Sequence, residues 1–162
     1  MSNIDSNESS NSNGGNNYRL IHGDFMEIAK KEIQDNSIDL ILTDPPDGFE
    51  ALGIYEGIAW LADRALKPGG SLVFFFVGHL MLEKVIQIIG DNTDNLTYWW
   101  IFCVKHSGNH SKLHARHIFA EWKPMLWYVK GGGPNELVTS NTLSDFIEST
   151  CPETYKTLHL LE

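Results

Sequence analysis

The hydrophobic positions change period along this chain, and those changes mark out its elements. Residues 1–17 hold eleven Ser or Asn and a Gly14-Gly15 pair, too polar to offset the entropy of ordering, so a disordered leader is expected there. Tyr18 to His22 is a short β-like run. Asp24 then reads as the N-cap of a helix with Phe25, Ile28, Ala29 and Ile33 at helical spacing, predicted to end between Gln34 and Ser37. Ile38 to Thr43 is a nearly continuous apolar strand, of the kind covered on both faces in a parallel sheet, and it stops at Asp44-Pro45-Pro46 because proline cannot donate to a ladder.

The period then returns to that of a helix from about Tyr55 to Leu66, with Ile58, Leu61, Ala62 and Ala65 on one stripe. Lys67-Pro68-Gly69-Gly70 is predicted to turn the chain. Ser71 to Val77 is the next buried strand, and Leu80 to Ile89 the next helix, with Leu82, Val85, Ile86 and Ile89 inward. Leu96 to Lys105 and Pro124 to Lys130 are two aromatic-rich strands joined by a stretch carrying histidines, and Gly131-Gly132-Gly133-Pro134 ends them. Strands alternating with helices at this spacing predict an α/β wound sheet.

At 162 residues, 42% of them hydrophobic, the chain is long enough for one domain with its own core, expected over residues 18–162. No apolar run approaches a membrane span, and Cys103 and Cys151 have neither a disulfide nor a zinc spacing, so a cytoplasmic protein without a membrane role is expected. The net charge of -9 argues against a protein that grips nucleic acid with its whole surface. Its distribution changes that picture. From Leu96 to Lys130 the bases Lys105, Lys112, Arg116, Lys123 and Lys130 face a single acid, Glu121, so the segment carries +4 and the rest -13. Such a stripe suits one phosphate-facing surface, or else a solvated loop.

Ligands of an open parallel sheet sit beyond the carboxyl ends of its strands, which is where Asp44 falls. Pro45 and Pro46 stiffen the corner and hold Asp44 out of the helical region. A rigid acceptor of this kind suits an exocyclic amine whose N–H groups must be held while its lone pair is aimed. An ordinary strand-ending turn is the plainer reading of the tetrapeptide. His106, His110 and His114 recur every four residues, but Ser107-Gly108-Asn109 breaks the helix that would align them, so no metal site is expected.

Three segments in order, His22-Gly23-Asp24-Phe25, then Asp39-Leu40-Ile41-Leu42-Thr43-Asp44-Pro45-Pro46, then Leu66-Lys67-Pro68-Gly69-Gly70-Ser71-Leu72, resemble the amino half of the DNA N6-adenine and N4-cytosine methyltransferases. The order matches the permuted class, in which the catalytic region comes first. The likeness continues through Lys105-His106-Ser107-Gly108, the run from Trp122 to Gly131, and Asp145 to Ser149. This longer pattern is similar to methyltransferase domains associated with ParB-like proteins, and it covers about residues 18–159.

The resemblance implies an incomplete Rossmann-like methyltransferase fold, a wound, mostly parallel sheet with helices on both faces. It implies DNA methylation at adenine N6 or cytosine N4 with S-adenosylmethionine, in a restriction-modification setting. Asp44 and the Pro45 carbonyl would hold the target amino group, Pro46 and Asp47 would complete the catalytic corner, and a flipped base would enter beside them. The family's fourth residue is Tyr or Phe, whose ring stacks on the base. Here it is Asp47, and Phe49 and Tyr55 are the next rings along the chain. Asp24 corresponds to a family position near the methionine end of the cofactor. Lys105, His106, Lys112 and Arg116 are the expected DNA contacts. The family's glycine-rich cofactor loop lies downstream of the catalytic half, and neither Gly69-Gly70 nor Gly131 to Gly133 has its setting. The chain is therefore expected to bind S-adenosylmethionine weakly alone, as a truncated or split enzyme completed in trans or by a homodimer. The alternative is a non-catalytic remnant that keeps a DNA- or partner-binding surface.

Overall fold

The computed structural model describes residues 18–46, 48–75, 79–106, 111–113, 116–134 and 143–149. The leader expected over residues 1–17, and Asp47, lie outside the described residues. The chain forms two compact units, Met1–Gln34 and Asp35–Glu162. In the first, α1 (Phe25–Glu32) starts where the sequence predicts: Oδ1 of Asp24 accepts from the backbone N–H of Met26 at 2.9 Å and of Glu27 at 3.1 Å. It stops earlier than predicted, because Ile33 is already extended and closes the last turn through its N–H to the Ala29 carbonyl.

The second unit is built on a five-stranded sheet. In chain order its elements are β1 (Ile38–Thr43), α2 (Leu52–Ala65), β2 (Leu66–Phe75), α3 (Leu82–Asp91), β3 (Leu96–His106), β4 (Ser111–Leu113), β5 (Ile118–Ala120), β6 (Trp122–Lys130) and β7 (Phe146–Ser149). The strand order is β1-β2-β6-β3-β7, and β4 with β5 forms a separate hairpin. β1 is parallel to β2 and β7 to β3, while β6 is antiparallel to both β2 and β3. Four strands therefore share one direction and β6 alone runs back between them. The α/β wound, mostly parallel sheet anticipated from the sequence is present.

Lys67-Pro68-Gly69-Gly70 does not separate helix from strand as the sequence suggested. It is a bulge inside β2: Ile38 pairs with Leu66, and Leu40 next pairs with Ser71, so one strand absorbs extra residues without ending. Two glycines allow this. Gly69 has φ of +80°, and a Cβ on Gly70 would stand 2.9 Å from the Lys67 carbonyl oxygen. Lys67 Nζ reaches back to both carboxylate oxygens of Asp39 at 2.8 Å and clips the bulge to β1.

One core underlies this unit. Tyr55, Ile58, Ala59 and Ala62 of α2, and Val85 and Ile89 of α3, pack with Leu72 and Phe74 of β2 and Leu126 and Tyr128 of β6. The aromatic members interlock, Phe74 lying 5.8 Å from Tyr55 and 6.1 Å from Tyr128 between ring centres. Ile86 does not turn inward as the periodicity predicted. It is exposed, and Met81, in the 3-10 turn His79–Met81 that leads into α3, is buried instead. Both α2 and α3 join the same face of the sheet. On the opposite face Leu40 and Leu42 of β1 are 54% and 62% exposed, so among the described residues this edge strand is covered on one face and not on two. None of the described helices is long and apolar enough to cross a membrane.

Candidate active site

The register of the sheet decides which predicted residues share an end. Thr43 pairs with Phe74, Phe74 with Leu126, and Leu126 with Ile101. Asp44 follows Thr43, and Lys105 and His106 close β3, so the acceptor corner and the start of the basic stretch leave the sheet at its carboxyl end. β1 and β3 are three strand spacings apart, about 14 Å. Lys130 lies at the other end, opposite Leu96, where its Nζ donates to Asn36 Oδ1 at 2.9 Å and it belongs to the scaffold.

At the corner Asp44 is exposed, Pro45 is buried and Pro46 is exposed. Burial of the Pro45 ring fixes the chain direction, and the Asp44 carboxylate has no partner among the described residues. Gly48, at φ of +110°, then turns the chain into a 3-10 turn, Phe49–Ala51, which leads into α2. Of the two rings beyond the corner, Tyr55 is 2% exposed and committed to Phe74, which removes it as a platform for a ligand. Phe49 is 60% exposed, and Lys84 Nζ lies over its ring at 5.0 Å from the centre. Lys84 stands in the first turn of α3, where the helix dipole disfavours a cation by roughly 0.3–1 kcal/mol. A ring beneath the ammonium offsets this by about 0.5–1 kcal/mol. The sequence placed Phe49 near the corner but gave no sign of its cationic partner, thirty-five residues on.

The other basic positions divide. Lys105 lies 3.8 Å from Glu148 of β7, both well exposed, a pair worth little in water. Arg116 is exposed beside the hairpin. In register, Lys112 sits opposite Phe119 and His106 opposite Ser149; the side chains of Lys112 and His106 lie outside the described residues. Among the described residues no group of three or more His, Cys, Asp or Glu could hold a metal. Cys103 carries a thiol pushed up by burial and by Asp145, against the opposing pull of Lys105.

Neither glycine cluster forms a strand-to-helix loop of the kind that holds a cofactor such as S-adenosylmethionine. Gly70 is used for close packing against carbonyl oxygens, and Gly131, at φ of +84°, turns the chain after β6 with its N–H on the Asn95 carbonyl at 2.9 Å. Asp24 uses Oδ1 as a helix cap.

The sequence matches no protein-family model and no curated protein. Solved structures do match. M1.HpyAVI in complex with SAM aligns with a TM-score of 0.57 at 21% identity, over 79% of this chain and 65% of that one. The cytosine-N4-specific PvuII DNA methyltransferase aligns with 0.61 at 17% identity, over 81% and 56%. TTHA0409 of Thermus thermophilus, a candidate DNA modification methylase complexed with S-adenosyl-L-methionine, aligns with 0.57 at 16% identity, over 81% and 66%. The fold is therefore the Rossmann-like methyltransferase fold. The chain spans less than two thirds of each of these three neighbours.

Proposed function

We propose that this chain is the amino-group-holding portion of a DNA methyltransferase acting on adenine N6 or cytosine N4, with adenine N6 favoured by the Asp that opens the corner. One observation carries the reading: Asp44 stands exposed at the carboxyl end of β1, next to a buried Pro45, in a fold shared with DNA methyltransferases. A carboxylate accepting an amine N–H fixes the amine and steers its lone pair. The order of the sequence segments supports the permuted, ParB-associated class. The remaining contacts for S-adenosylmethionine would come from a region in trans or from a second copy.

The test is methyl transfer from labelled S-adenosylmethionine to duplex DNA, with a cofactor-binding region supplied. Asp44→Ala, an exposed change that leaves the core intact, is expected to lower the rate by about 10²–10³. Transfer that survives this change moves the chemistry elsewhere. A wild-type chain that binds DNA but never turns over supports the second reading, a non-catalytic remnant that keeps a DNA- or partner-binding surface.

A further inference from the structure

Strand β1 stands at one edge of the sheet, and among the described residues no strand pairs with its outer side. An open edge of this kind is a template for another strand. The two edges of the sheet differ in how they meet solvent. β7, at the far edge, is four residues long and carries Glu148 beside Lys105 of β3, and a short strand with charged side chains resists pairing. β1 is six residues long, holds no lysine, arginine or proline, and exposes Leu40 and Leu42 on one face. Its one charge, Asp39, is held by Lys67 Nζ at 2.8 Å from both carboxylate oxygens. The leucines also continue an apolar row across the sheet. Leu42 pairs with Val73, Val73 with Trp127, and Trp127 with Trp100, which is itself exposed.

The order of residues in β1 defines what matches it. Leu40-Ile41-Leu42 reads the same in both directions, so a second β1 laid antiparallel about Ile41 sets Leu40 of each copy opposite Leu42 of the other. Cross-strand partners point to the same side, and residues two apart share a face, so all four leucines meet on one face. On the other face Ile41, packed against the core of its own copy, meets its counterpart. Asp39 falls opposite Thr43, and no like charges are opposed within residues 39–43. The pairing is isologous and uses the β1 edge of both copies, so assembly closes at two. Asp44 of each copy lies just outside the paired residues, and the two corners stand about 20 Å apart along the strands.

We propose that β1 is a self-association edge: two copies pair their β1 strands antiparallel about Ile41, joining two five-stranded sheets and burying Leu40 of one copy against Leu42 of the other. This goes beyond the methyltransferase reading and does not rest on it.

The test is sedimentation velocity of the full chain. A single strand pair is smaller than a standard interface, so the mass is expected to double between about 1 and 100 µM. Leu40→Asp alone and Leu42→Lys alone each set a charge against leucine and like charges diagonally across the two-fold, and each is expected to weaken the dimer by about tenfold or more. Mixed one to one, the two variants bring the new carboxylate opposite the new ammonium, and native mass spectrometry should show a mixed dimer restored to nearly the wild-type level. Both positions are exposed in the single chain, and circular dichroism melts verify that the variants fold. A wild type that stays monomeric over the whole range overturns the proposal. A dimer that survives Leu40→Asp lies on another surface, and folded variants that do not associate when mixed rule out the register about Ile41. None of these outcomes touches the role of Asp44, which methyl transfer reads separately.

Discussion

Gly70 packs directly against the carbonyl oxygen of Ile38: a Cβ at residue 70 would stand 3.1 Å from that oxygen and 3.2 Å from the carbonyl of Asp39. This close approach sets the register in which β1 meets β2 and so the height at which Asp44 leaves the sheet. Gly70→Ala must push backbone against backbone, with no flexible side chain to yield. We expect a destabilisation of about 1–3 kcal/mol, in the range of overpacked sites. Urea unfolding should show a lower midpoint with an unchanged slope. A midpoint within error of wild type would mean that the bulge can shift without cost.

Tyr128 buries a hydroxyl that has no hydrogen-bond partner among the described residues. Burial, with Tyr98 beside it, pushes its phenol up to about 12. An unfolded tyrosine ionises near 10. Between those values the unfolded chain gives up a proton that the folded chain keeps, so the contribution of Tyr128 to stability is constant below about pH 10 and is lost as the pH rises toward 12. Tyr128→Phe should remove this part of the alkaline decline and, by deleting an unsatisfied polar group, raise stability at neutral pH by about 1 kcal/mol. Equal alkaline profiles for the two proteins would show that the phenol ionises as readily in the folded chain as in the unfolded one.

Much of this fold was legible where local pattern and tertiary burial agree. β1 begins and ends at the predicted residues because an apolar run is cut by two prolines. Other features depend on distant partners. Lys67 to Gly70 has turn chemistry, but parallel pairing to β1 resumes at Ser71, so a bulge replaces the turn. α2 starts at Leu52, ahead of the predicted Tyr55, because the preceding 3-10 turn already winds the chain. β4, β5 and β7 are three or four residues long, too short for a period to register, and β7 exists only through its pairing with β3. The site divides in the same way. Asp44 was legible as a strand-end acidic corner. That Lys105 shares its end of the sheet while Lys130 does not follows from the insertion of β6 between β2 and β3, which no local pattern encodes.

The basic stretch offers a test by salt. Changing Lys112 and Arg116 together to Ala is expected to reduce the slope of log affinity against log salt by about two, one for each phosphate left without its cation. Glu148→Gln removes the carboxylate 3.8 Å from Lys105 and should steepen the same slope. Fluorescence anisotropy at four or five salt concentrations measures both. An unchanged slope in the double variant would leave the stretch as a solvated connection.

Asp24 separates cofactor binding from helix capping. Its Oδ1 accepts two backbone N–H groups at the start of α1, so Asp24→Ala should destabilise that helix by about 1 kcal/mol, while Asp24→Asn keeps the cap. Because neither glycine cluster forms a cofactor loop, titration of the chain alone with S-adenosylmethionine in a calorimeter is expected to give no saturable heat. Once a cofactor-binding region is supplied and binding appears, Asp24→Asn tests the charge by itself. A carboxylate that meets the cationic end of the cofactor contributes a charge-assisted hydrogen bond, and its removal should weaken binding by about tenfold or more. If Asp24→Asn binds as tightly as wild type, Asp24 is a helix cap and nothing else. One-to-one micromolar binding by the chain alone would show instead that its own residues form the cofactor site.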